Sequence, residues 1–409
     1  MSYQERKDCR SCGGKLEELM SVGEVTVVNF GNKPVLKAPL TFVKCKVCNL
    51  AQLKHTVDPE YLFREYYYKS GVNQTMREHL SALAKELDAR LNFKPDDVVV
   101  SIGANDGTEL KAYPDSVVKF GFEPAQNLAK ELKKVADYTI VDFFNQDAYY
   151  TFTRKQARAI TAISMFYDLD DPNTFLKDVK AILAKDGIFV IQQNYLPSMI
   201  ENNAVDNMVH EHLEYYSMLS LSRLLERNGL KIFDVEFNNL NGGSFRTYIA
   251  HIESAPSQTP EVIRAMNREL QMGLDTPRPY LAFENRVKEN SKKLRVFVKE
   301  QAIEKMRTVF VYGASTRGNT LLQVVGLDYR YLSFAVERNP AKWGTKTIGT
   351  EIPIISEEEA RKRRPDFMLV LPWHFIGEFV EREMPYLLSG GVFIVPLPEP
   401  YFLRLTRLP

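Results

Sequence analysis

The sequence predicts an α/β protein with two parallel-sheet units behind a small cysteine-held module. Three observations carry this. Residues 98–102, Val-Val-Val-Ser-Ile, form an apolar run entered from a Lys-Pro-Asp-Asp turn and left through Gly103, which suits a strand buried on both faces of a parallel sheet. Residues 309–312, Val-Phe-Val-Tyr followed by Gly313, repeat the pattern far downstream. All four cysteines lie before position 50 in two C-x-x-C pairs, unlike the spread of a secreted disulfide framework.

The first segment, residues 1–73, holds those pairs, Cys9-Arg10-Ser11-Cys12 and Cys45-Lys46-Val47-Cys48. Gly13-Gly14 and Asn49 supply turns that aim backbone amides at thiolates. Four soft ligands predict a tetrahedral structural Zn²⁺ on Cys9, Cys12, Cys45 and Cys48, closed to substrate. The bland alternative is four unrelated buried thiols. Zinc ribbons also bind nucleic acid, but the basic residues here hug the cysteines without interleaved aromatics, so scaffolding is the expected role. The stretch from Tyr61 to Gly71 then carries five aromatics in eight residues. These either pack as plain core, or the phenols of Tyr66 and Tyr68 roof a site and donate to a developing oxyanion.

Residues 74–255 read as a doubly wound unit: helix 74–91, strand 98–102, strand 117–123, helix 126–135, strand 138–141, strand 159–164, helix 174–183 and strand 187–193. Gly103 permits a sharp turn after the first strand, and Gly107 a close approach to a ligand. Gly103 and Gly107 match G-x-x-x-G, with no glycine in time to cradle a pyrophosphate, so a dinucleotide is disfavoured. Glu123 ends the second strand about twenty residues on, where a carboxylate meets ribose hydroxyls in such sheets. With a neutral loop above it, this favours S-adenosylmethionine, contacted by Gly103, Asn105, Asp106 and Glu123. Phe143, after the third strand, is the expected face for the adenine, and Ser164 at the end of the fourth opens on the same crevice. The competing reading gives these residues to the fold alone.

The stretch from Asn207 to Tyr216 is chemically dense, with two of the chain's six histidines in His210-Glu211-His212 and two tyrosines in Glu214-Tyr215-Tyr216. His212 reads as a general base, with Glu211 setting its tautomer and Tyr215 as a further donor. A metal site is the rival, but His-Glu-His lacks the i, i+4 spacing of helical zinc ligands. Unoccupied surface histidines are the bland reading. Asn241-Gly242-Gly243-Ser244 reads as a tight turn into the last strand of the sheet, where Arg246 reaches an anionic or hydroxylated ligand or sits at an edge.

A connector, residues 256–306, begins with prolines and continues as a charged helix over 282–304, with Leu281, Val287, Leu294 and Val298 marking its packed face. In residues 307–409 the strand at 309–312 runs into Ser315, Thr316 and Arg317 at a helix N-terminus, a seat for a diphosphate. Strands at 334–336, 367–371 and 392–395 complete a second Rossmann-like sheet. Glu337 and Arg338 lie on its ligand-binding rim, although NAD binding or plain stabilisation would use the same pattern.

The two C-x-x-C pairs, Tyr66-x-Tyr68-x-Ser70-Gly71, Ile102-Gly103-Ala104-Asn105-Asp106-Gly107-Thr108, His210-Glu211-His212-Leu213-Glu214-Tyr215-Tyr216-Ser217 and Asn241-Gly242-Gly243-Ser244 occur in this order. As an ordered set they resemble the zinc-containing, S-adenosylmethionine-dependent C-methyltransferases of nucleotide-linked deoxysugars, over essentially the whole chain. The resemblance implies a central class I methyltransferase sheet and a carboxy-terminal module that binds the nucleotide of a nucleotide-linked keto-sugar. It implies methylation of C3 beside a 4-keto group, with His212 as base and Tyr66, Tyr68 or Tyr215 donating to the enolate oxygen. This chain departs from the family at the fourth strand, where Ser164 and Asp168 replace an Asn and a His.

Composition bounds the alternatives. A net charge of +1 gives no global field for nucleic acid or an anionic membrane, and 44% hydrophobic residues over 409 positions can bury large cores. Met1 to Asp8 is polar, and no apolar run is long enough to span a bilayer. The expectation is a cytoplasmic monomer with neither nucleic-acid nor membrane partners. Its competitors are an O- or N-methyltransferase acting on another acceptor, and a zinc-ribbon protein that binds nucleic acid or a partner.

Overall fold

Val98–Ile102 lies at the centre of a seven-stranded sheet in the computed structural model, which describes residues 3–28 and 34–405. Met1 and Ser2 of the polar start fall outside the described residues. The seven strands are Val98–Ile102, Val118–Phe122, Tyr138–Ile140, Ala157–Ile163, Leu183–Asn194, Leu230–Asn238 and Ser244–His251. Taken in chain order they lie 3-2-1-4-5-7-6. The first six run the same way and the seventh is antiparallel between the fifth and sixth. This is the class I methyltransferase sheet.

Every residue of Val98–Ile102 is buried, as its unbroken apolar run requires. Val98, Val100 and Ile102 pack with Phe120, Phe122, Ile160 and Phe189 beneath the helices Pro172–Ile182 and Met218–Arg227. Val99, Ala159, Val190 and Tyr248 face the helix Gln74–Leu91, which presents Leu80, Leu83, Ala84, Leu87 and Leu91 at helical spacing. That helix keeps the bounds its sequence predicts, because Asn73 caps its first turn and Asn92 ends it in a left-handed conformation. The helix expected over 126–135 shrinks to Ala129–Leu132. Gly107 also departs from its expected role. A Cβ there would lie 2.2 Å from Val135 Cγ2 and 3.2 Å from Leu132 Cδ1, so the close approach is to this turn and not to a ligand.

The second sheet comprises Val309–Tyr312, Ala335–Val336, Ile354–Ile355, Phe367–Val370, Val392–Val395 and Tyr401–Leu403, lying 3-2-1-4-5-6 with only the last antiparallel. The third and sixth of these are too short to stand out in the sequence. The connector forms two helices, Pro260–Met272 and Arg278–Lys299, continued by a π-helical turn Glu300–Glu304. Val262 and Ala265 of the first join the core of the central sheet, while Tyr280, Phe283, Val287, Leu294 and Val298 of the second join the core shared with the carboxy-terminal sheet. Leu281 is 48% exposed, because Tyr280 and Phe283 take the packed face that the sequence reading gave it.

The cysteine module builds its own antiparallel sheet from Leu16–Thr26, Lys37–Cys45 and Ala51–Leu53. Its last edge pairs with Glu214–Tyr215, just beyond His210-Glu211-His212. One apolar core runs from Leu40 and Phe42 through Met199 and Tyr215 to Val309, Leu321 and Trp373. Burial of each such side chain contributes roughly 1.5–3 kcal/mol, so the three parts of the chain hold one another in place.

Candidate active site

The site forms where the carboxyl ends of the central strands meet the module and the second sheet. After Ile102 the backbone turns through Gly103 at φ +69° and Asn105 at φ +53°. A Cβ on Gly103 would lie 3.0 Å from Met165 Cγ, which places the fourth strand's exit directly over this turn. Glu123 is buried at the end of the second strand, with its two oxygens each 2.8 Å from a backbone amide, those of Asn105 and Ala125. Burial raises its pKa despite those amides, and among the described residues no cation pairs with it. Phe143 lies under the Arg64 guanidinium, 4.9 Å from its ring centre, and Arg64 also pairs with Asp142 at 3.1 Å.

Residues 64–71 cross this turn as a strap that ends in the 3-10 turn Ser70–Val72, held chiefly by side-chain amides. Asn127 accepts from Tyr66 N at 3.0 Å and donates to Tyr66 O at 2.8 Å. Asn105 accepts from Ser70 N at 3.0 Å and donates to Tyr68 O at 3.1 Å, while Asp106 accepts from Gly71 N at 2.8 Å. Both side chains are spent on the strap, a role the G-x-x-x-G spacing could not reveal. Tyr68 is 47% exposed. Tyr66 turns inward, where burial first and Glu211 second hold its pKa well above the usual phenol value.

His210-Glu211-His212 is buried, not a surface cluster. A backbone turn, His212 N to Val209 O at 3.0 Å, sends the three side chains in different directions. His210 Nε2 lies 3.0 Å from Ala38 O of the module. His212 Nδ1 lies 3.0 Å from Asn207 O, and its ring sits 4.3 Å from that of Tyr167. Glu211 therefore does not orient the imidazole, contrary to the sequence reading. Its carboxylate instead lies near the hydroxyls of Tyr66 and Thr316, within the field of Lys342. Burial outweighs these contacts and lifts Glu211 to a pKa of about 7. Burial, then the nearby Arg317 charge, depresses His212 to about 3. The imidazole is thus neutral, and an Nδ1–H donated to Asn207 O leaves Nε2 as the basic nitrogen. Tyr215 donates its hydroxyl to the same carbonyl at 3.3 Å. Ser164, at φ +55°, is anchored by its amide to Gln192 O at 2.7 Å.

Three basic or acidic residues read as substrate ligands are engaged within the protein. Arg246 is buried, with Nε on Gln192 at 3.0 Å, one terminal nitrogen 3.1 Å from both Glu86 and Glu236, and the other 2.9 Å from His79 Nε2. The antiparallel strand Ser244–His251 aims it beneath helix Gln74–Leu91, so it is not a free cation for substrate. Arg317 is drawn from the diphosphate seat to Asp206 at 2.6 Å and Asn241 O at 2.7 Å, and Trp373 Nε1 joins the same Asp206 oxygen at 3.2 Å. Glu337 accepts from the amides of Ala314, Arg338 and Asn339, and Lys342 Nζ lies 3.5 Å away. Ser315 caps helix Thr316–Val325 through Gly318 N, leaving Thr316 to meet Glu211. Arg338 is exposed on the rim.

Asn127, Asp206, Asn207, Tyr167 and Lys342 have parts in this site that sequence reasoning missed. Asn207 acts through its backbone carbonyl, which leaves no mark in residue type. Lys342 is buried by a contact of Nζ with Ala314 O at 2.8 Å, a partner far away in sequence.

The four cysteine sulfurs lie within 4.8 Å of one another, with Cys9–Cys48 at 3.6 Å and Cys12–Cys45 at 3.5 Å. Amides of Ser11 and Val47 and the Gln52 side chain point at Cys9 or Cys45 at 3.2–3.4 Å. Among the described residues no helix is long and apolar enough to cross a membrane.

Sheet order, glycine turn and strand-end acid together define a class I methyltransferase. Family models agree: residues 72–235 match a methyltransferase domain and residues 239–398 a C-methyltransferase C-terminal domain. C-methyltransferase NovU of Streptomyces niveus is 30% identical over 96% of each chain. The chain belongs to this C-methyltransferase family, whose members use S-adenosylmethionine. Among solved structures, a S-adenosylmethionine-dependent methyltransferase from Clostridium acetobutylicum is 11% identical over 43% of this chain and 92% of its own, with a TM-score of 0.35. The magnesium protoporphyrin IX methyltransferase ChlM of Synechocystis with bound SAM is 9% identical over 48% and 98%, also with a TM-score of 0.35.

Proposed function

We propose that this C-methyltransferase acts on a nucleotide-linked 4-keto-deoxysugar and methylates C3, the carbon beside the ketone. One observation carries the reading: the His212 imidazole is buried and neutral, with Nδ1 against Asn207 O, so that Nε2 is free to accept a carbon-bound proton. Its place follows from the chain: Met165 covers Gly103, and Tyr167, two residues on, touches the His212 ring. Base and glycine turn thus share one edge of the sheet.

The residues around that turn fit S-adenosylmethionine. Gly103 turns the chain sharply at the strand end, and Glu123, steered by two amides, keeps lone pairs for ribose hydroxyls. When bound, the cofactor supplies the electrophilic methyl group. The protein's part is to hold the reacting carbon within roughly 3–3.5 Å of it and to exclude water. The ketone makes the neighbouring C–H acidic, and His212 takes that proton. The strap residue Tyr66, with Glu211 and Thr316, closes the cleft on the side of the second sheet. There, the helix N-terminus after Ser315 and the rim at Glu337 and Arg338 suit the nucleotide.

The four thiolates fit zinc. A tetrahedron with Zn–S of about 2.3 Å has S···S edges of about 3.8 Å, close to the sulfur separations found. Such an ion would knit the ends of the module's strands together.

A second reading makes Glu211 the base, since a pKa of about 7 matches neutral catalysis better than the imidazole's. The contact of the His212 ring with Tyr167, two residues beyond the Met165 that covers Gly103, favours His212.

The substrate reading is tested with S-adenosylmethionine carrying a ¹³C methyl group and thymidine- or guanosine-diphosphate-linked 4-keto-6-deoxyhexoses. The expected product shows the labelled methyl bonded to the carbon next to the carbonyl by NMR. A methyl on oxygen or nitrogen, or no transfer to any keto-sugar, would overturn it.

A further inference from the structure

Asp168 ends the short helical turn Phe166–Asp168 that follows the fourth central strand. Its Oδ1 is buried without a hydrogen-bond partner, and among the described residues no cation pairs with it. The groups that act on it are burial and two buried carboxyls, Glu211 and Glu214. It directly follows Tyr167, whose ring lies 4.3 Å from that of His212 and whose carbonyl accepts from Leu213 N at 2.8 Å, so its backbone runs beside the His212 segment.

Of the nearby phenols, Tyr215 is committed elsewhere, donating to Asn207 O at 3.3 Å. Glu214 and Asp206 each leave one oxygen unpartnered as well, but their other oxygen has a donor: Tyr216 on Glu214 at 3.0 Å, and Arg317 and Trp373 on Asp206. Asp168 Oδ1 is left desolvated without a partner, a cost the protein bears only in the absence of something that completes it. Two neighbouring carboxyls disfavour a third negative charge, and a neutral carboxyl is a hydrogen-bond donor.

We propose that Asp168, as a neutral acid, donates a hydrogen bond to the carbonyl oxygen of the substrate and stabilises the negative charge that develops there. This rests on the ketone reading above. As the carbon-bound proton passes to His212 Nε2, the C–H electron pair becomes a carbon–carbon double bond. The carbonyl π pair moves onto oxygen, and that oxygen receives the Asp168 hydrogen bond. His212 is left as imidazolium and no proton leaves Asp168. It is then a catalytic residue, and the phenols shape the pocket around it.

The experiment follows deuterium uptake from D₂O at the carbon beside the ketone, without cofactor, in thymidine- and guanosine-diphosphate-linked 4-keto-6-deoxyhexoses. Wild type, Asp168→Asn and Asp168→Ala are compared, with Tm recorded for each. Asp168→Ala is expected to lose 100-fold or more in exchange rate, the order of one lost oxyanion donor. Asp168→Asn, which keeps an N–H donor, is expected to lose about tenfold or less, and both variants should melt higher than wild type because the unpaired carboxyl is gone. The proposal is overturned if Asp168→Ala exchanges at the wild-type rate, if Asp168→Asn falls as far as Asp168→Ala, or if both variants melt lower. Should wild type itself exchange none of these sugars, the ketone reading fails and this inference with it; the wild-type arm alone separates that outcome from the others.

Discussion

Glu211 and His212 are adjacent in sequence and titrate in opposite senses. Burial holds His212 neutral, with a pKa of about 3, and holds Glu211 protonated up to about 7. With His212 as base, the rate of deprotonation stays flat from about pH 8 to about pH 5; with Glu211 as base it falls about tenfold per unit below 7. A pH–rate profile of cofactor-free exchange decides between them. Stability carries a separate sign. Glu211 has a higher pKa folded than unfolded, so the native state binds more protons between about 4.5 and 7 and loses stability as pH rises through that window. Glu211→Gln should gain on wild type across that interval, by about 3 kcal/mol at most, and denaturant titrations at pH 5 and 8 would measure it. An unchanged difference would show that Glu211 is ionised in the fold. At this scale the sequence was informative where residue type and spacing set local geometry: the four cysteines converge, Gly103 takes a positive φ and Glu123 ends its strand. It misled for Arg246 and Arg317, whose partners Glu86 and Asp206 are distant in the chain and invisible to any local pattern.

Among the elements, the strap over the glycine turn depends on few contacts. Asn127 and Asn105 hold its backbone from below, each by one accepted and one donated hydrogen bond. Removing one such pair costs about 1–2 kcal/mol locally. Asn127→Ala is therefore expected to raise the KM for S-adenosylmethionine several-fold while leaving Tm nearly unchanged; an unaltered KM would show that the strap does not cover the cofactor. The long elements were legible because their apolar periodicity is strong: Gln74–Leu91 and Val98–Ile102 keep the bounds expected of them. The module's sheet was not, since Leu16–Thr26 and Lys37–Cys45 carry two register shifts in their pairing that blur any alternation. The pairing of Glu214–Tyr215 with Ala51–Leu53 joins segments far apart in the chain, and no local signal announces it.

For the molecule as a whole, that pairing ties the cysteine cluster to the chemistry. Leu213 N reaches Tyr167 O at 2.8 Å and Leu53 N reaches Leu213 O at 2.8 Å, so the backbone beside His212 is stitched to both the module and the fourth strand's exit. Loss of the metal should therefore reach the active site. Cys45→Ser is expected to lose bound zinc, to melt lower and to turn over more slowly even where it remains folded; metal analysis, a melting curve and kcat check the three effects, and unchanged metal content would refute the zinc assignment. The second sheet is fixed by the Arg317–Asp206 pair and by Trp373 packed on Gly242, where a Cβ would lie 2.7 Å from the indole. The order of units along the chain was legible from two strand–glycine–helix repeats and one cysteine module. Their common core was not, because it draws on side chains from all of them at once.

The most direct measurement compares wild type with His212→Asn for deuterium uptake at the carbon beside the ketone, in D₂O and without cofactor. Wild type should incorporate one deuteron, and the variant should show no detectable uptake while still binding S-adenosylmethionine. Uptake by the variant at the wild-type rate would contradict the assignment of His212 as the group that takes the proton.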